Sequence, residues 1–279
     1  MFGLFSRKQS SDEEMSFFEH LEILRFTLIR SIIAIMVFAV IAFLFKEFIF
    51  NTVILGPQKA DFISNVLFCR LGNLIGSEAI CINQTPVKII NIEIAGQFKS
   101  HLTISIIAGV VLAMPWILRE IWSFVKPALK PGERSGYHFS LFMASMLFFI
   151  GVSFGYFLLS PITVDFLNSY ELDTTIENQI RIGSYVRTIS MLCLATGIAF
   201  EMPLVILFLT ANRIVTSAFL RKYRKHVLIF FFVISAVITP PDVISQFLVA
   251  IPLFLLFELC IRIAKRMERR LVRQKEADI

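Results

Sequence analysis

Charge is what this chain has least of. Only 17% of its 279 residues are Asp, Glu, Lys or Arg, against roughly 25% in a soluble domain, and they stand in clumps between apolar runs, where they mark loops. That excludes an ordinary soluble domain, and a net charge of +6 carries no suggestion of nucleic acid. Catalytic and metal-binding patterns are missing as well. Four His and no His-Glu-x-x-His or Cys-x-x-Cys spacing leave no expected metal site. Without Gly-x-Ser-x-Gly or a phosphate-binding loop, an intramembrane hydrolase or ATP-driven pump lacks its working parts, so neither enzyme nor cofactor is expected. No fixed-period repeat and no two-half symmetry occur, which counts against a secondary transporter. The first 25 residues are polar and acidic and lack a cleavage site behind an apolar core, so the first apolar run is expected to remain as an anchor.

What is there is hydrocarbon. The chain is 56% hydrophobic with 30 Phe and has a mean hydropathy of +0.75, which reads as an all-α integral membrane protein. A spanning helix needs about 20 mostly apolar residues, and the runs at roughly 26–47, 100–119, 137–159 and 186–210 meet that. Two shorter runs, 226–239 and 243–260, are separated by Pro240, Pro241 and Asp242, a breaker that forces a reversal. Six transmembrane helices follow, the last two short. Placing both termini and the 2–3 and 4–5 loops on one side collects 20 of the 27 Lys and Arg there, so both termini are read as cytoplasmic. The expected organisation is a cytoplasmic segment 1–25, a membrane domain 26–262 with external caps at about 48–99 and 160–185, and a basic cytoplasmic tail 263–279.

Four segments, in order and at the right ends of the spans, carry a resemblance. They are "FFEHLEILR" (17–25), "WSFVKPALKPGER" (122–134), "FEMP" (200–203) and "TPPDVISQFLVAIP" (239–252). Together they resemble the TatC family of twin-arginine translocase subunits. The resemblance implies a non-enzymatic receptor and assembly core in the bacterial cytoplasmic (inner) membrane. It would export folded proteins using the proton-motive force, bind Arg-Arg signal peptides, and recruit TatA-type and TatB-type single-span helices, or one bifunctional TatA, in an oligomeric complex among membrane lipid. A proton-coupled small-solute transporter with Glu201 as relay is the alternative.

The resemblance places the signal-peptide acids at Glu22 and Glu133. Carboxylates suit the task because Arg offers a planar fork that two oxygens receive bidentately, whereas Lys is a point charge. Family members commonly carry a second acid where this chain has Ile23, and helix neighbours point about 100° apart. Either Glu19, one turn before Ile23, joins Glu22 in bracketing the site, or Glu133 carries most of the contact. Arg25, Trp122, Phe124 and Arg134 complete the expected surface, although Ser135 stands where a second Arg is frequent.

Glu201, a carboxylate within an apolar run, is read as a membrane-exposed docking point for a partner helix, against the alternative of an internal hydrogen bond. Gln246 is assigned to partner contact. Asp242 shares its helix face, and capping of that helix is the favoured role for it. Cys69 and Cys81 lie in the first external loop, and spacing alone leaves open whether they are bonded. Cys193 and Cys260 fall in spans as small apolar residues.

Overall fold

The computed structural model describes residues 17–76, 81–84, 87–125, 137–170, 173, 178–211, 214–238 and 243–277. Glu133, Arg134 and Asp242 lie outside them, as does the side chain of Glu19. The first crossing is α1 (Phe17–Leu44), which passes through the one-turn α2 (Lys46–Phe48) and a π-helical turn, Ile49–Ile54, into α3 (Ile63–Ile75). Strand β1 (Ile89–Ile90) precedes the second crossing, α4 (Gly96–Val125). The third crossing is α5 (Tyr137–Phe154), continued by a π-helical turn, Gly155–Leu159, into α6 (Ser160–Ser169). After β2 (Ile180–Arg181), the fourth consists of α7 (Ile182–Phe200) and α8 (Met202–Ala211). The short α9 (Ser217–Lys222) leads to α10 (Arg224–Ile238) and α11 (Val243–Ala277).

Among the described residues, five helical segments are long and apolar enough to cross a membrane: Leu21–Leu44, Gly96–Phe124, Ser140–Ser169, Ile182–Thr210 and Gln246–Arg269. The sixth crossing is α10, whose 15 residues reach only about 22 Å at 1.5 Å per residue. A hydrocarbon core of ~30 Å must thin locally to accommodate it.

One helix end differs from the sequence expectation. The third crossing does not stop at 159. Pro161 lacks an N–H, yet the helix continues to Ser169 because the π-helical turn before it absorbs the defect. Ser160 donates from its backbone N–H and from Oγ (2.8 Å) to the Gly155 carbonyl. At the other end of the chain α11 runs unbroken for 35 residues, from the last crossing into the basic tail.

Small residues set how closely the crossings pack. Helix α1 lies along α4, and a Cβ on Gly109 would meet the Ala39 nitrogen and the Ile35 carbonyl oxygen, each at 2.8 Å. Helix α5 meets α7 in the same way: a Cβ on Gly151 would lie 2.6 Å from the Thr196 carbonyl oxygen. Close backbone approach of this kind is how helices associate where hydrocarbon offers no hydrophobic drive. Gly151→Leu is therefore expected to destabilise the fold by about 1–3 kcal/mol through overpacking, read as a lowered unfolding temperature of the detergent-purified chain. An unchanged temperature would show that the helices can separate freely.

The end away from the termini is closed by a cap. Parallel pairing of Ile89 with Ile180 and Ile90 with Arg181 ties its two segments together. Asn83, with φ of 53°, donates its backbone N–H to Asp165 Oδ1 (2.6 Å) and its amide to the Pro161 carbonyl (2.9 Å). Asn65 bonds the carbonyls of Pro57 (3.1 Å) and Lys59 (2.8 Å). Tyr156 and Tyr185 donate to the Val53 (2.7 Å) and Ile54 (2.8 Å) carbonyls. Buried backbone carbonyls near the membrane need such partners, and the cap supplies them from side chains. Cys69 and Cys81 are joined in a disulfide, their Cα atoms 4.1 Å apart.

Candidate functional site

At the end that carries the termini, Glu22 and Arg25 are exposed on α1. Their level is fixed by an antiparallel register: Ala39 abuts Gly109, and Arg30 Nη1 lies 3.6 Å from Glu120 Oε2. Continuing that register carries Glu22 past the level of Val125, where α4 gives way to the segment bearing Glu133. Trp122 is not a free aromatic platform. It is partly buried, with its ring edge-to-face on Phe208 of α8 at 6.1 Å between centroids. Phe124 is also partly buried.

Glu120 was missed by sequence reasoning. It is 7% exposed, while its partner Arg30 has a side chain 65% exposed. A carboxylate held under an accessible guanidinium is a charge that an incoming cation can compete for. Its signal was legible in principle, since "PWILREIW" puts an acid at the end of a hydrophobic run.

The second region surrounds Glu201. Helix α7 stops there because Pro203 cannot donate back to Ala199. The chain turns instead through Glu201 N–H to the Ile198 carbonyl (3.1 Å), and the N–H groups of Leu204 and Val205 return to the Glu201 carbonyl. The expected membrane-exposed carboxylate is corrected: Glu201 is only 8% exposed. The alternative of an internal hydrogen bond also finds no counterpart, because both carboxylate oxygens are buried and have no hydrogen-bond partner among the described residues. A polar pair of oxygens in that state is costly, so the turn holds unspent binding capacity. Thr210 Oγ1, nine residues further along this crossing, is likewise buried and unpartnered.

Gln246 donates its amide to the Phe232 carbonyl of α10 (2.9 Å). This bond closes the α10–α11 hairpin from within. Nearby, Arg224 at the start of α10 pairs with Glu258 of α11 at 3.1 Å and lies over the Phe254 ring. On the terminus side, Glu268 of α11 receives the Ser217 N–H (2.6 Å) and Oγ–H (2.5 Å), which fastens the long last helix to α9. No group of three or more His, Cys, Asp or Glu among the described residues could hold a metal ion.

A family model described as Sec-independent protein translocase protein (TatC) matches residues 19–252. The chain belongs to the TatC family. It is 34% identical over 258 residues to the TatC of Blattabacterium sp. subsp. Periplaneta americana, covering 92% of this chain and 97% of that one. To the TatC of Carboxydothermus hydrogenoformans it is 35% identical over 255 residues, with 91% and 94% covered. A crystal structure titled as the twin-arginine translocase receptor TatC superimposes with a TM-score of 0.70 at 31% identity, covering 88% of this chain and 98% of the other. A second, in DDM, gives 0.72 at 30% identity, with coverage of 88% and 99%.

TatC is a non-catalytic transport component, a multi-pass membrane protein that works with other Tat subunits. The matched range contains every residue assigned above to signal-peptide or partner contact, and it ends before Glu258 and Glu268. The solute-transporter alternative has no support in these matches.

Proposed function

We propose that this chain is the receptor and assembly core of a twin-arginine translocase in a bacterial inner membrane, with the capped end outside and both termini in the cytoplasm. The observation that supports this best is the antiparallel register of α1 on α4, which brings Glu22 toward the segment that carries Glu133. A pair of acids, one on α1 and one on the segment that follows α4, would suit two consecutive guanidinium groups. Arg25 and Phe124 lie on the ends of α1 and α4 that meet there, and the resemblance adds Glu19 and Arg134 to the proposed contacts. A labelled Arg-Arg signal peptide should bind the purified chain, and replacing its pair by Lys-Lys should weaken binding about tenfold, because the bidentate geometry is lost. Equal binding of both peptides would sink the proposal.

The unpartnered carboxylate of Glu201 is the docking point for a polar residue on a TatA-type or TatB-type helix, with Gln246 and Asp242 at the neighbouring hairpin. A buried acid becomes reachable when a helix lies against the α7–α8 turn and brings its own hydrogen bond. Such a bond is worth about 1 kcal/mol. Glu201→Ala is accordingly expected to reduce cross-linking to a co-expressed single-span partner about fivefold. Undiminished cross-linking with normal export would leave Glu201 without this role.

A further inference from the structure

Positive residues are scarce on the capped side: seven of the 27 Lys and Arg fall there. Three of those seven, Lys99, Arg181 and Arg187, line a single cavity of about 500 Å³. The cavity lies where β1 and β2 meet the first turns of α4 and α7. One acid, Glu93, belongs to it and is committed to Lys99, with Nζ 3.0 Å from Oε2. That contact holds the Glu93 carboxyl below the usual carboxylate range, so Glu93 stays ionised at neutral pH and offsets Lys99. Arg181 and Arg187 are both exposed and have no ion-pair partner among the described residues. The cavity therefore holds a surplus of two positive charges.

The backbone adds to that surplus. Arg181 is the N-cap residue of α7, and no side chain caps this helix end. Gly183 in its first turn is open, as a Cβ there would meet only Ser100 Oγ, at 4.0 Å. The positive ends of α4 and α7 both reach the cavity wall, and helix N-termini favour anions. Depth identifies the anion's source. Arg187 stands five residues into α7, about 8 Å below its start, which is the depth of the headgroup layer beside a ~30 Å hydrocarbon core. Ile92, Ile94 and Phe98, next to the cavity, expose their apolar side chains and suit contact with lipid at the membrane interface.

We propose that this cavity binds the phosphate of an anionic phospholipid from the leaflet facing the cap, with Arg181 and Arg187 as its ligands and the first turn of α7 as its backbone cradle. A lipid held there clamps the cap onto the outer ends of α4 and α7.

The test is native mass spectrometry of the full chain, purified in neutral detergent and titrated with phosphatidylglycerol or phosphatidylcholine. The wild type should retain one phosphatidylglycerol in preference to phosphatidylcholine. Removing an arginine near a membrane surface should weaken that retention about fivefold, so Arg181→Gln/Arg187→Gln should abolish the preference. Arg266→Gln/Arg269→Gln in the basic end of α11 should leave it intact. Ser184→Glu, which puts a negative charge at the mouth while keeping both arginines, should weaken retention as well and decides the matter if the double variant does not fold. The proposal is overturned if phosphatidylglycerol is retained equally by Ser184→Glu and the wild type, or if phosphatidylcholine binds as firmly. Displacement by millimolar inorganic phosphate would overturn the lipid assignment in favour of a soluble anion.

Discussion

Alanine at Glu133 is expected to lower the affinity for a twin-arginine signal peptide by about 10- to 100-fold, the equivalent of one lost charge-assisted bidentate contact of about 1.5–3 kcal/mol. Glu22→Ala should cost only a few-fold, because Glu22 is exposed on α1 and a solvated ion pair is worth about 1 kcal/mol or less. The order of the two effects follows from Ile23. The resemblance to the family leads one to expect an acid there, and on our proposal its absence shifts recognition toward Glu133. Fluorescence anisotropy with a labelled signal peptide measures both variants, and an export reporter checks the consequence in cells. A Glu133 variant that binds and exports normally would remove the central contact of the proposed receptor surface. Glu120 supplies a check from a different residue. Glu120→Gln frees Arg30 from its ion pair, and loss of peptide binding in this variant without loss of folding would extend the recognition surface into the membrane-side end of α4.

Removing the Cys69–Cys81 disulfide is expected to destabilise the chain by about 2–4 kcal/mol, chiefly by releasing the loop between the two cysteines in the unfolded state. The bond joins the middle of the cap helix α3 to the irregular segment that carries Asn83. Asn83 in turn anchors to Asp165 and Pro161 of the third crossing. Cys69→Ser/Cys81→Ser should therefore loosen the cap as a unit. Thermal unfolding of the purified chain with and without reductant measures this. The wild type should fall to the stability of the double variant when reduced, and the double variant should ignore reductant. A wild type insensitive to reduction would show that the polar network alone holds the cap.

Much of this architecture was legible in the residue order. Apolar run length gave six crossings, since that signal is one-dimensional. The breaker Pro240-Pro241 marked the last reversal. The third run was read only to 159, because nothing local announces that a π-helical turn and the Ser160 hydroxyl carry the helix past Pro161. In the basic tail, polarity gives no sign that the helix goes on, yet α11 continues because its residues remain good helix formers and Glu268 fastens it to α9.

The candidate sites were legible as residues and illegible as environments. Glu201 stood out in its apolar run, but whether it faced lipid, a partner or the bundle depended on how the α7–α8 turn at Pro203 rotates the helix. Glu120 drew no notice, because its meaning lies in Arg30 of another helix. Lys99, Arg181 and Arg187 are scattered over 89 positions and become one cavity only when β1 pairs with β2.

The amino-acid sequence by itself determined that this chain lives in a bilayer and how often it crosses, because transfer into hydrocarbon sums along the chain without regard to neighbours. Which carboxylates are buried, which cations converge and how close two helices lie were decided only by the tertiary structure. Those outcomes rest on the rotation and register of one helix against another, and such quantities are set by small residues such as Gly109 and Gly151 where the helices touch.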